Sequence, residues 1–249
     1  MCLRCISKGT LMKIIILAGG LGTRISEETV NKPKPMVPLS GKPILWHLMS
    51  IFSKQKYTEF VLALGYRKEV VQDWLHNFKN TENWLIDPLD TGLDTQTGGR
   101  IKKCLQKYPN QRVVVTYGDG LANISLNNLL DFHKSHKKIA TVTAVRPPAR
   151  FGHLSVHGDK VVRFGEKVQA DEGWINGGFF VLEPEVIEMI DNDWDLFETG
   201  ALPKLAMDNQ LMAFKHEYFW KPMDTLREKN ELEKLSLDEI PPWLDFSHF

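Results

Sequence analysis

The stretch that most restricts the fold is Lys13-Ile14-Ile15-Ile16-Leu17-Ala18-Gly19-Gly20-Leu21-Gly22-Thr23-Arg24. Four consecutive aliphatics suit a strand buried on both faces, as in parallel sheets covered by helices. The run breaks at three glycines in four positions, where no Cβ separates main chain from ligand and successive N–H groups can converge on an anion. Arg24 adds a fork of donors suited to phosphate. The spacing is neither that of a P-loop, which needs Gly-Lys-Ser/Thr, nor the dinucleotide G-x-G-x-x-G. Taken alone, it reads equally as a plain strand-to-helix turn.

Downstream, Lys32-Pro33-Lys34-Pro35-Met36-Val37-Pro38 predicts a stiff extended arm, because each proline lacks a donor and biases the residue before it away from helix. Solvated lysines are the ordinary reading of Lys-x-Lys; beside a phosphate-type loop, Lys34 is the candidate second cation. Periodicity predicts helices over 44–54, 68–78, 99–107 and 126–136, and strands over 60–64, 112–116, 140–145 and 160–163. Such alternation implies right-handed βαβ crossovers, hence an α/β fold with a mainly parallel twisted sheet flanked by helices. Ligands of such sheets bind beyond the carboxyl ends of the strands, where the glycine loop and the turn Tyr117-Gly118-Asp119-Gly120 both fall. Asp119 is either an ordinary turn former or a carboxylate presented to a ligand.

Thirty-one basic and thirty-one acidic residues cancel, so no global field points to nucleic acid or to an acidic membrane, and any anion affinity is local. No run approaches the roughly 20 apolar residues of a membrane span. The expectation is a cytoplasmic protein. Met1 to Leu11 reads as an extension ahead of a single domain over 12–249; its Cys2-Leu3-Arg4-Cys5 lacks the second ligand pair of a zinc site. Cys104 reads as a free thiol. His133 and His136, and His153 and His157, read as structural or surface histidines, since no carboxylate or cysteine pattern completes a metal set.

Five further stretches matter in combination: Thr97-Gly98-Gly99-Arg100, Thr116-Tyr117-Gly118-Asp119-Gly120, Phe164-Gly165-Glu166-Lys167, Ile175-Asn176-Gly177-Gly178-Phe179-Phe180 and Trp220-Lys221-Pro222-Met223-Asp224-Thr225. With the glycine loop and the Lys-Pro-Lys-Pro arm, the chain from Met12 onward resembles the sugar-phosphate nucleotidyltransferases, most of all the branch that joins CTP to glucose 1-phosphate. The resemblance implies a Rossmann-like nucleotidyltransferase fold with a smaller acceptor-binding β region.

The same resemblance implies an enzyme that makes CDP-glucose and pyrophosphate for deoxysugar or surface-polysaccharide synthesis, with Mg²⁺ as cofactor and a homo-oligomeric assembly. Its nucleotide would lie on Leu17, Ala18, Gly19, Gly20, Leu21, Gly22, Thr23, Arg24, Lys34, Thr95, Arg100 and Gly118. Arg24, Lys34 and Asp119 would be catalytic, and Asp119 and Asp224 would hold the metal. Glu166, Lys167 and Asn176 would bind the acceptor. Glu166-Lys167 also fits a solvated strand edge, and Asn176-Gly177 a type I′ hairpin turn. Val168 stands where the family has proline, and the segment between Trp74 and Thr91 is shorter than in that branch, so transfer onto another phosphorylated acceptor stays open. A non-catalytic nucleotide-sugar sensor would erode Arg24, Lys34, Asp119 or Asp224, and all four are intact.

Overall fold

A computed structural model describes residues 12–22, 25–146, 153–165 and 173–249. The strands are β1 (Lys13–Ala18), β2 (Pro38–Leu39), β3 (Lys42–Pro43), β4 (Glu59–Leu64), β5 (Leu85–Asp90), β6 (Val113–Tyr117), β7 (Gly120–Ala122), β8 (Ala140–Val145), β9 (His153–His157), β10 (Lys160–Gly165), β11 (Ile175–Leu182), β12 (Leu211–His216) and β13 (Trp220–Pro222). The helices are α1 (Ser26–Thr29), α2 (Ile44–Ser53), α3 (Lys68–Asn77), α4 (Thr97–Lys107), α5 (Leu126–His136), α6 (Ala201–Met207) and α7 (Leu226–Leu235).

Seven strands form one sheet in the order β12-β8-β11-β6-β1-β4-β5. Neighbours are parallel, except that β11 runs against both β6 and β8. The aliphatic run of β1 is buried on both faces, as a strand roofed by helices requires. Ile14 and Ile16 join the layer that holds Phe52 of α2 and Leu129 of α5, whereas Ile15 and Leu17 join the opposite layer with Ile101 and Leu105 of α4. This alternation is the two-residue period of a strand expressed as two cores.

The expected helices over α2, α3 and α5 begin at their expected residues, and α4 begins two residues early at Thr97. The strand expected over 112–116 is shifted by one, which makes Tyr117 the last residue of β6. Three features differ from expectation for physical reasons. β5 was not anticipated because Pro88 interrupts its pattern; it is an edge strand, where a missing N–H breaks no second ladder.

The hairpin reading of Asn176-Gly177 gives way to a continuous strand, β11, whose pairing with β8 shifts register between Asn176 and Phe180. Gly178 sits there at φ +83, and a Cβ on it would lie 2.4 Å from the Tyr117 ring. The Lys-Pro-Lys-Pro arm is extended only through Pro33. Lys34–Met36 then makes one 3₁₀ turn, closed by the Met36 amide donating to the Pro33 carbonyl at 2.8 Å. Proline is tolerated there because the first N–H groups of a helical turn have no internal partner.

β9 and β10 pair as a separate antiparallel ribbon, the expected smaller β region. Cys104 is buried on the core face of α4, and burial pushes its thiol up to about 12. Among the described residues, no helix is long and apolar enough to cross a membrane.

Candidate active site

Three of the expected residues converge on one point at the carboxyl end of the parallel strands. The Lys34 ammonium donates to Asp119 Oδ2 and to Asp224 Oδ1, both at 2.6 Å, although the partners lie far apart in the chain. Lys34 is 7 % exposed, so both carboxylates meet a cation that is largely withdrawn from water. Asp119 is fixed by its turn between β6 and β7, and the Met223 amide donates to its carbonyl at 2.8 Å. β7 pairs antiparallel with β13 in a register that sets Met223 against Asp119 and brings the next residue, Asp224, to the same cation.

The chain after Asp224 is held by local chemistry as well. Thr225 caps α7 in a reciprocal capping box with Glu228, and the Glu228 carboxylate also accepts from the Asp224 amide at 2.9 Å. Two carboxylates closing on one cation are the donor set for a hard divalent ion that takes its remaining ligands from water and phosphate oxygens. Asp119 and Asp224 are the residues that could hold such an ion; among the described residues, no group of three or more His, Cys, Asp or Glu side chains converges.

The glycine loop leaves β1 above a buried guanidinium. Arg100 of α4 donates from Nη1 to the Leu64 and Gly92 carbonyls and the Thr91 hydroxyl, and from Nη2 to the carbonyls of Gly19 and Leu93. A Cβ on Gly19 would lie 2.3 Å from Arg100 Nη1, whereas one on Gly20 would meet nothing within 4 Å. Arg100 therefore underlies the loop and fixes it through main-chain acceptors.

Gly22, at φ +64, offers its carbonyl to the Ile25 amide and the Thr29 hydroxyl, which starts α1. Gly118 packs on the loop from the side, where a Cβ would lie 2.7 Å from both the Leu17 carbonyl and Pro35. Thr95 is buried and its hydroxyl takes a hydrogen bond from Lys103 at 3.1 Å. Next to the loop, at the ends of β4 and β5, opens a cleft of about 390 Å³ lined by Tyr66, Lys68, Asp90 and Leu93, among others.

Two strands away, Asn176 stands exposed at the start of β11. Its Nδ2 donates to the Tyr117 hydroxyl at 3.1 Å and its Oδ1 accepts from the Gly178 amide at 2.9 Å. Tyr117 in turn donates to Glu198, whose second oxygen accepts from the Thr97 hydroxyl at 2.7 Å. Burial, reinforced by the Glu198 charge, raises the Tyr117 pKa far above its ordinary value, so the phenol keeps its proton. Trp220 closes this side, its indole N–H donating to the Gly177 carbonyl at 2.8 Å.

Thr23 and Arg24, and Glu166 and Lys167 with Val168, lie outside the described residues. Sequence reasoning missed Tyr117 and Glu198. Tyr117 was visible as the residue two before Asp119, but Glu198 sits in an aperiodic stretch and reaches its partner across 81 residues.

Residues 13–233 match the family described as nucleotidyl transferase. The glucose-1-phosphate cytidylyltransferase of Salmonella typhimurium is 44% identical over 253 residues, covering 93% of this chain and 98% of that protein. The probable glucose-1-phosphate cytidylyltransferase of Bacillus subtilis is 39% identical over 244 residues, covering 90% of this chain and 96% of that one. A crystal structure of HddC from Yersinia pseudotuberculosis complexed with GMP-PN superposes with a TM-score of 0.72 at 27% identity, covering 90% of this chain and 98% of its own.

Proposed function

Because the chain belongs to the nucleotidyl transferase family, we infer that it transfers a cytidylyl group from CTP to glucose 1-phosphate, giving CDP-glucose and pyrophosphate. The base and the acceptor follow the two cytidylyltransferase relatives, which the chain matches along almost its whole length. The observation that carries the chemistry is the convergence of Lys34, Asp119 and Asp224 beside the glycine loop. A regulatory sensor would have no need of that cluster.

In this reading, an oxygen of the sugar phosphate attacks the α-phosphorus of CTP in line and pyrophosphate departs on the far side, so the protein must gather anions and neutralise developing charge. The amides of Gly19 to Gly22 cradle the triphosphate, with Arg100 keeping the loop in shape from below and the base directed to the cleft beside β4 and β5. Lys34 turns from its carboxylates to the departing pyrophosphate. Asp119 and Asp224 hold Mg²⁺, which supplies further neutralisation of phosphate charge when bound. Asn176 contacts sugar hydroxyls. Arg24 on the triphosphate, and Glu166 and Lys167 on the acceptor, complete the proposal on the strength of their sequence positions. The rest of the reading is a single domain over 12–249, acting in the cytoplasm as a homo-oligomer.

Pyrophosphate release from Mg²⁺ and glucose 1-phosphate, with CTP, UTP, dTTP, ATP and GTP offered separately, tests the proposal. Turnover with CTP above the other four is the expected result. Equal rates with all five would overturn the base assignment, and silence with every one would overturn the acceptor.

A further inference from the structure

The hydrogen-bond chain from Thr97 to Asn176 has a fixed direction, and one side chain sets it. Glu198 can only accept when ionised, and it takes the Thr97 hydroxyl on one oxygen and the Tyr117 hydroxyl on the other. The Thr97 hydroxyl is itself oriented, because it accepts from the Phe197 amide at 2.9 Å. With its proton directed at Glu198, the Tyr117 oxygen can only accept from Asn176, and Nδ2 of Asn176 meets it. The Asn176 amide must then turn Oδ1 to the Gly178 amide. What remains free on Asn176 is one N–H and one lone pair, at an exposed position beside the turn that carries Asp119.

We propose that Tyr117 and Glu198 are positioning residues for the acceptor: the carboxylate orients the phenol, and the phenol locks the Asn176 amide with its remaining donor and acceptor facing the sugar. The inference rests on the reading of Asn176 as an acceptor contact. It makes acceptor recognition depend on a carboxylate that need not touch the sugar. Thr97 is the first residue of α4, the helix that carries Arg100, so the chain is anchored on the element that also supports the nucleotide loop.

The two informative variants preserve shape. Tyr117→Phe removes the hydroxyl alone. Glu198→Gln keeps the volume but removes the charge and puts an NH₂ against one of the two hydroxyls: facing Tyr117 it reverses the phenol and turns the Asn176 amide over, and facing Thr97 it leaves the phenol on a weaker, neutral acceptor. Loss or reversal of one such hydrogen bond corresponds to roughly a five- to tenfold effect. Both variants should therefore raise KM for glucose 1-phosphate about five- to tenfold, while KM for CTP and kcat move less than about twofold. Glu198→Asp, which restores the charge, should recover part of the loss. Adding Tyr117→Phe to Asn176→Ala should produce no further rise, because the two residues act through one contact.

A merely structural role predicts another pattern: a lowered Tm, both KM values raised together, and additive effects in the double variant. That pattern would overturn the proposal. A second measurement is independent of turnover. In the ligand-free protein, the Asn176 side-chain amide resonances in a ¹H–¹⁵N spectrum should shift in Tyr117→Phe and shift further in Glu198→Gln. Unmoved resonances in both variants would overturn the orienting chain whatever the acceptor is. Shifted resonances in an enzyme that ignores glucose 1-phosphate would uphold the chain and reject the acceptor.

Discussion

Two glycine pairs lie on the same edge of the sheet, Gly19-Gly20 after β1 and Gly177-Gly178 at the start of β11, with β6 between them. Both bring main chain close to a polar side chain, buried Arg100 or half-buried Tyr117, yet the groups beneath them differ in charge. Under Gly19 lies the guanidinium of Arg100, always positive and directed at carbonyls. Beside Gly178 lies the neutral phenol of Tyr117, backed by the Glu198 carboxylate. The first arrangement suits a polyphosphate and the second a polyhydroxyl compound. On the proposed reading, the same backbone device would serve two ligand chemistries because the supporting side chain, not the glycine, carries the charge.

The largest effect should come from the cluster that both ends share. Lys34→Ala or Asp119→Asn is expected to lower kcat at least about a hundredfold with little change in circular dichroism; a variant with near-normal turnover would remove that residue from the reaction centre. Next, Arg100→Met strips the charge from beneath the nucleotide loop and leaves its carbonyl acceptors without their donor. It should cost about 2–4 kcal/mol in urea denaturation, and raise KM for CTP at least tenfold more than KM for glucose 1-phosphate. Equal rises in the two KM values would erase the contrast between the ends.

Smaller and sharper is the pair Gly19→Ala and Gly20→Ala. The first drives a Cβ against Arg100 and, at 2.8 Å, against the Gly65 amide, and should cost about 1–3 kcal/mol. The second meets open space and should stay within about 0.5 kcal/mol. Matching losses would mean that the loop does not rest on Arg100.

The smallest expected effect is a pH dependence that the two ends share. His47 of α2, against the Leu39 carbonyl, and His216 at the end of β12 are both buried, and burial lowers each pKa below the ordinary 6.5, against backbone hydrogen bonds that raise it. The unfolded chain therefore binds the proton more readily, so the stability each neutral ring contributes is complete above about pH 6.5 and is lost as the pH falls toward the lower folded value. His47 Nδ1 has no hydrogen-bond partner, so its protonation would bury an unsatisfied charge. Urea midpoints between pH 5 and 8 should rise with pH, and His47→Gln or His216→Gln should each flatten that rise by a similar amount. Flattening by only one of them would show that acid acts on one end alone.

Much of the nucleotide end was legible because its signals are local. An aliphatic run followed by glycines announces β1 and its loop, and Asp119 stands in a turn that chain chemistry alone predicts, whereas the turn at Lys34 was hidden in a proline-rich arm that reads as extended throughout. That Lys34 and Asp224 meet, 190 residues apart, was legible only through resemblance, since no periodicity links them. The acceptor end was harder. Asn176-Gly177 has the composition of a hairpin turn, and what prevents one is the pairing of β11 with strands on both sides. β5 was hidden by Pro88, whose cost vanishes only at a sheet edge. Glu198 carries no local signal, because it sits in a turn and its partners are a tyrosine at the end of β6 and a threonine at the start of α4.

The short β7–β13 ladder also bears on when the Lys34 cluster can close during synthesis of the chain. The strands β6, β1, β4 and β5 are neighbours and all come from the first 117 residues, so this block can assemble early on the emerging chain. Lys34 can find Asp119 at that stage. It cannot find Asp224 until residues 220–224 have been translated and Trp220–Pro222 has paired with Gly120–Ala122. A nascent chain or a product truncated before Trp220 thus carries the glycine loop and the Lys34–Asp119 half of the centre without the second carboxylate. With that cluster as the proposed reaction centre, the ability to transfer a nucleotide would arrive with the last strands, and incomplete copies would hold only half of it.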